Sequence, residues 1–139
     1  MTELDDKIYE RIEGLSEESN EFANEEKYAE AKAKFEEALN LVPAPKTDWE
    51  AALWLYASIG DMNFMLGNYK ECSENMFDAL NCPDALANPF VHIRLGQALY
   101  ELGNLERAKE HLLRAYMLDG EDIFEGQDKK YFDFIKSMI

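Results

Sequence analysis

Positive charge is what this sequence lacks most. Its 139 residues carry 14 lysines and arginines against 29 aspartates and glutamates, a formal net charge of −15. Nucleic-acid binding requires a basic footprint that displaces phosphate counterions, and the long-range field here has the opposite sign. Anionic membrane surfaces are disfavoured for the same reason. The field favours a basic or amphipathic polypeptide, drawn in by charge, although acidic helix surfaces also simply keep a small protein dissolved.

Cysteine is equally scarce. Cys72 and Cys82 stand alone, which excludes a disulfide framework and a cysteine metal pair. Seven glycines and four prolines are few enough to favour an all-helical chain. No apolar run approaches membrane-spanning length. The acidic start Met1-Thr2-Glu3-Leu4-Asp5-Asp6 lacks the basic and apolar parts of a secretory leader, so the expectation is a cytoplasmic protein.

Catalytic signatures are missing too. His92 and His111 fall on different predicted helices, outside any HExxH-type spacing, and core packing is the expectation for His92. The acidic segments Asp119–Asp122 and Glu125–Asp128 lack the ligand alternation and closing glutamate of a calcium loop. There is no phosphate-cradling glycine loop and no nucleophile elbow. The chain is therefore expected not to be an enzyme and to need no metal and no cofactor.

What is present is a recurring pattern. Tyr28-x-x-Ala31-x-x-x-Phe35-x-x-Ala38-Leu39 returns as Tyr69-x-x-Cys72-x-x-x-Met76-x-x-Ala79-Leu80 and as Leu105-x-x-Ala108-x-x-x-Leu112-x-x-Ala115. A small residue, a large one four later and a small one three later make one helix face with a notch at each end. Small residues let a neighbouring helix approach, and the large one fills the gap. Such recurrence predicts a stacked helical array.

The remaining punctuation agrees. Thr2 with Asp5 marks a first helix carrying Leu4, Ile8, Ile12 and Leu15, reaching about Ala23 and ending in the polar turn Asn24-Glu25-Glu26. A second helix spans about 28–41 and stops before Pro43-Ala44-Pro45. Thr47 with Glu50 reads as a capping box for a third helix with Trp49, Leu53, Leu55, Tyr56 and Ile59. Gly67-Asn68 supplies the turn into a fourth over 69–80. Asn88-Pro89 opens a fifth, and Gly103-Asn104 repeats the earlier turn before a sixth over about 105–118. Tyr131, Phe132, Phe134, Ile135 and Met138, interleaved with lysines, predict a final amphipathic helix over the open end of the stack.

This arrangement closely resembles the tetratricopeptide repeat, a helix-turn-helix unit of about 34 residues. Leu95-Gly96, Gly103, Ala108 and Ala115 match in the third unit; Ile59-Gly60, Gly67, Tyr69 and Ala79 match in the second. Phe22, Tyr28, Ala31, Phe35, Ala38 and Pro43 match in the first, which departs at Glu18-Ser19, where leucine and glycine are expected. The resemblance implies an all-α, right-handed α-solenoid in one domain over 1–139, with repeats at about 12–45, 53–86 and 89–122 and a capping helix at about 127–138. The longer step between the first two units places an insertion around Pro43–Asp48.

Function in that family sits on the concave groove lined by the first helix of each pair. Projecting the repeat puts Glu13, Ser16, Glu17, Asn20 and Asn24 there from the first unit. The second contributes Trp54, Ala57, Ser58, Asp61, Phe64 and Met65; the third contributes Phe90, Ile93, Arg94, Gln97, Tyr100 and Glu101. The aromatic strip Trp54, Phe64, Phe90 and Tyr100, with acids beside it, has the make-up of a binding hot spot. Of the five positions with which one subclass grips a chain-terminal carboxylate, only Asn20 and Arg94 are kept; Ser16, Ser58 and Phe90 occupy the rest, so that specificity is not implied.

The resulting expectation is a non-catalytic interaction module whose groove takes a basic or amphipathic polypeptide. The loop Glu121–Gly126 followed by an aromatic and lysine-rich helix is similar to bacterial proteins encoded beside secreted toxins, which implies an alternative role as an immunity protein neutralising a cognate toxin. A second alternative is a self-associating scaffold.

Overall fold

Three notched helix faces account for how the chain stacks. In the computed structural model, which describes residues 4–139, Ala31, Phe35 and Ala38, Cys72, Met76 and Ala79, and Ala108, Leu112 and Ala115 are all 4% exposed or less. Each large side chain so buried contributes about 1.5–3 kcal/mol. They belong to α2 (Tyr28–Asn40), α4 (Tyr69–Leu80) and α6 (Leu105–Asp119), the second helices of three antiparallel hairpins. The first helices are α1 (Asp6–Asn24), α3 (Glu50–Met65) and α5 (Pro89–Glu101), and a short α7 (Lys129–Ile135) follows. Hairpin stacks on hairpin through α2 against α3 and α4 against α5. This is an all-α solenoid, with no strand among the described residues.

Close approach within hairpins depends on glycine where the large residue lands. A β-carbon on Gly96 would lie 2.7 Å from Leu112 Cγ, and one on Gly60 would lie 2.8 Å from Met76 Cε. Ser19 occupies the corresponding place before Phe35 and is fully buried, its hydroxyl without a partner.

All three hairpins use one turn. The amides of Lys27, Asn68 and Asn104 donate to the carbonyls of Phe22, Asn63 and Leu99 at 2.8, 2.8 and 2.9 Å. That geometry needs a left-handed residue just past the helix end. Gly67 (φ +81°) and Gly103 (φ +84°) supply it, and in the first hairpin Glu26 is held at φ +62°. The sequence shows the first turn only as a polar stretch, because glutamate hides its equivalence to the two glycines.

The linker between the first two hairpins corrects one expectation. Thr47 forms no capping box: it lies in a 3₁₀ turn, Lys46–Asp48, and Trp49 takes the N-cap of α3 without a side-chain bond to the helix. The indole of Trp49 instead donates to the Pro43 carbonyl at 2.9 Å. Lys46 Nζ donates to the carbonyls of Leu39 and Val42 at 3.0 and 2.7 Å, closing the end of α2. Asp5 caps α1 through the Lys7 amide; Thr2 lies outside the described residues.

Candidate functional site: the concave groove

α3 touches α5 directly, so the first helices of the second and third hairpins lie side by side. The residues projected onto the concave face have very different exposures. Trp54 and Met65 are 37% and 48% exposed, and Glu17 and Asn20 are exposed on α1. Phe64, Phe90, Asp61, Tyr100 and Glu101 are half-buried. Arg94 is 8% exposed and Gln97 is fully buried, so Gln97 has no surface to offer a partner. Ala57 and Ile93 are likewise buried.

Arg94 organises the centre of the face. Its Nη2 lies 2.7 Å from Asp61 Oδ1, tying α5 to α3 across the repeat boundary. This contact is Coulombic rather than an aligned hydrogen bond: Asp61 Oδ1 and Arg94 Nε both lack a hydrogen-bonding partner. The guanidinium lies over the Phe64 ring at 4.4 Å and the Phe90 ring at 5.4 Å, contacts worth about 0.5–2 kcal/mol each. Two aromatics of the strip therefore hold an arginine, and the charge of that arginine is met by Asp61 inside the protein.

The C-terminal segment covers the α5 end of the face. Arg94 Nη1 donates to Gln97 Oε1 at 2.8 Å and to Gln127 Oε1 at 3.1 Å, while Gln97 Nε2 donates to the same Gln127 oxygen at 2.9 Å. Tyr131 donates its hydroxyl to Glu101 Oε2 at 2.8 Å, and Lys130 Nζ lies 2.8 Å from that oxygen. Tyr100 meets Tyr131 and Phe134 edge-on, with ring centroids 5.5 and 5.1 Å apart. Tyr100 and Glu101 are thus engaged from within the chain.

Electrostatics follow this geometry. Burial alone would raise the Glu101 carboxyl, but hydrogen bonds from Lys130 and Tyr131 outweigh it and hold the group below the usual carboxylate range. Burial, together with the adjoining carboxylate, pushes the Tyr131 phenol well up. Away from the face, burial raises the Cys72 and Cys82 thiols to about 12 and about 11, so neither is a ready thiolate. Among the described residues no three His, Cys, Asp or Glu side chains gather as metal ligands, and no helix is long and apolar enough to cross a membrane.

Sequence periodicity missed Gln127, Lys130, Tyr131 and Phe134 as part of this face. The aromatic and lysine pattern of the segment marks it as amphipathic, but only packing shows which surface it covers.

The stack of hairpins is an all-α solenoid. Residues 89–122, the third hairpin, match the tetratricopeptide repeat family. A crystal structure of MamA superimposes with a TM-score of 0.67 at 15% identity, covering 91% of this chain and 77% of that one. No curated protein matches in sequence.

Proposed function

We propose that the protein is a non-catalytic interaction module whose concave face takes a basic or amphipathic polypeptide. The observations that carry this reading are the exposed Trp54 and Met65 on α3 and the exposed acids of α1. Glu13 and Glu17 of α1 make no ion pair among the described residues, so their charge is free to meet a partner's lysine or arginine. Exposed aromatic and thioether side chains together with unpaired acids suit a segment that alternates apolar and basic side chains.

Selection from a displayed random-peptide library on the immobilised protein tests this. The expected enrichment is of lysine or arginine beside large apolar residues. A folded Trp54→Ala, Glu17→Gln variant should bind the selected peptides about tenfold more weakly, the loss of one anchor and one charge. Enrichment of acidic peptides, or undiminished binding by that variant, overturns the reading.

Self-association is a second reading, favoured by the exposed Met117 (82%), Leu118, Met138 and Ile139 in the last hairpin and tail. Light scattering across a concentration series decides it, since a constant monomer mass removes it.

A further inference from the structure

Among the described residues, two of the four arginines find a carboxylate and two do not. Arg11 lies against Glu37 and Arg94 against Asp61. Arg107 and Arg114 make no ion pair there, although the sequence holds 29 acids against 14 bases. Glu110, spaced to pair with Arg114 along the helix, forms none either. Both arginines are exposed and lie on one side of α6, with His111 between them. Arg107 is already placed: its guanidinium carbon stands 4.9 Å from the centre of the Phe77 ring of α4. Such stacking occupies the face of the guanidinium and leaves its N–H edge open to an acceptor. Phe77 also meets His111 edge-on at 6.2 Å, and His111 Nδ1 is 3.1 Å from His92 Nδ1. Burial first, then His92, Arg107 and Arg114, hold the His111 pKa down at about 4. No acid is among these influences, so the local field is positive in a chain of net charge −15.

We propose that Arg107 and Arg114 form an anion site beside His111 on α6, outside the concave face, and that its ligand is a phosphate group. The helical rise sets the two arginine backbones about 10 Å apart, a span that two long side chains close on one group held over the ring between them. Two guanidiniums bring two positive charges, which a phosphate carrying about −1.5 to −2 matches and a single carboxylate leaves half unmet. Their planar forks also suit the oxygens of phosphate bidentately. The acidic chain repels an anion at long range, so short contacts set the affinity, and the expected dissociation constant is on the order of a millimolar. The phosphate comes either as a free ion or on a phosphorylated side chain of a partner, and the chemistry of the site is the same for both. The site does not depend on the reading of the concave face.

Imidazole resonances read this site directly, because the chain has only two histidines and both lie there. The full chain is titrated at fixed pH with inorganic phosphate, with a short neutral peptide carrying one phosphoserine, and with the same peptide unphosphorylated. Sodium chloride of matched ionic strength is the control. The expected result is saturable movement of the His111 signals by a phosphate-bearing probe, and none by the unphosphorylated peptide or by sodium chloride. Saturation by inorganic phosphate at least as tight as by the phosphopeptide assigns a free ion; tighter saturation by the phosphopeptide assigns a phosphorylated partner. Arg107→Gln and Arg114→Gln should each weaken binding about tenfold, while Lys7→Gln, which removes a distant charge on α1, should leave it unchanged. Circular dichroism checks the fold of each variant; should Arg107→Gln lose it, Arg114→Gln decides alone. Three results overturn the proposal: no saturation by either phosphate probe, equal movement by sodium chloride, or a loss in Lys7→Gln as large as in the arginine variants.

Discussion

Asp61 on α3 and Arg94 on α5 meet at 2.7 Å with both side chains largely withdrawn from water. They make the one ion pair among the described residues that joins two hairpins at the centre of the concave face. Removing one partner strands the other, because a buried charge without a counter-charge costs more than the pair contributes. Asp61→Asn should therefore lower unfolding free energy by about 1–3 kcal/mol, and Arg94→Gln by a similar amount. The double variant should lose less than the sum, and urea denaturation of all four proteins reads the coupling. Strict additivity would show that the contact does not couple the hairpins.

Gly96 and Gly60 look alike in the sequence and should respond differently to alanine. At Gly96 a β-carbon would meet Leu112 Cγ at 2.7 Å and the Leu112 backbone nitrogen at 3.0 Å. Backbone cannot step aside, so Gly96→Ala should destabilise by about 2–3 kcal/mol. At Gly60 the near atom is the terminal methyl of Met76 at 2.8 Å, a flexible end that can move. Gly60→Ala should cost about 1 kcal/mol or less. Thermal unfolding of the pair compares them directly, and an equal loss would contradict this ranking.

Glu26 holds a left-handed conformation at φ +62°, which costs a residue with a β-carbon about 1–2 kcal/mol. Glycine at that position removes the strain but frees the unfolded chain, which takes back about 0.4–1 kcal/mol. Glu26→Gly should be a net gain of about 0.5–1 kcal/mol, visible as a higher urea midpoint at unchanged slope. A lower midpoint would mean that the Glu26 side chain contributes something its exposed position does not suggest.

His92 and His111 stack with their Nδ1 atoms 3.1 Å apart. The Leu86 carbonyl, 3.0 Å from His92 Nε2, can only accept, so that nitrogen carries the proton. His92 Nδ1 is then the acceptor and His111 Nδ1 the donor. Burial, then His92, Arg107 and Arg114 in turn, lower the pKa of His111 from 6.5 to about 4. The folded protein thus keeps His111 neutral while the unfolded chain takes up a proton. Its contribution is whole above about pH 6.5, falls as the pH drops toward about 4, and is level below that. With solvent screening of this partly exposed ring, the loss is about 1–2 kcal/mol. His111→Asn, which keeps an amide donor near Nδ1, should lose correspondingly less stability between pH 7 and 4.5. Equal losses would remove His111 from the acid response.

The sequence alone was enough for the stack. Ala31, Cys72 and Ala108, with Phe35, Met76 and Leu112 four residues on, carry the helical period and the notch spacing, and those are local quantities written in residue order. Turn chemistry was legible wherever glycine declared it, at Gly67 and Gly103, and hidden where Glu26 adopted the same geometry under strain. Register also predicts which side chains share one side of α3 and α5, since one helical phase sets them together, yet Ala57, Ile93 and Gln97 of that set are buried. What those side chains do there was settled only by tertiary contact. Arg94 could have faced solvent or a partner; it faces Asp61 from the neighbouring hairpin, between the rings of Phe64 and Phe90. Gln97 and Glu101 meet a segment thirty residues further on, at Gln127 and Tyr131. Periodicity is a property of neighbours along the chain, whereas the pairing of charges and the covering of a face depend on where distant segments come to rest.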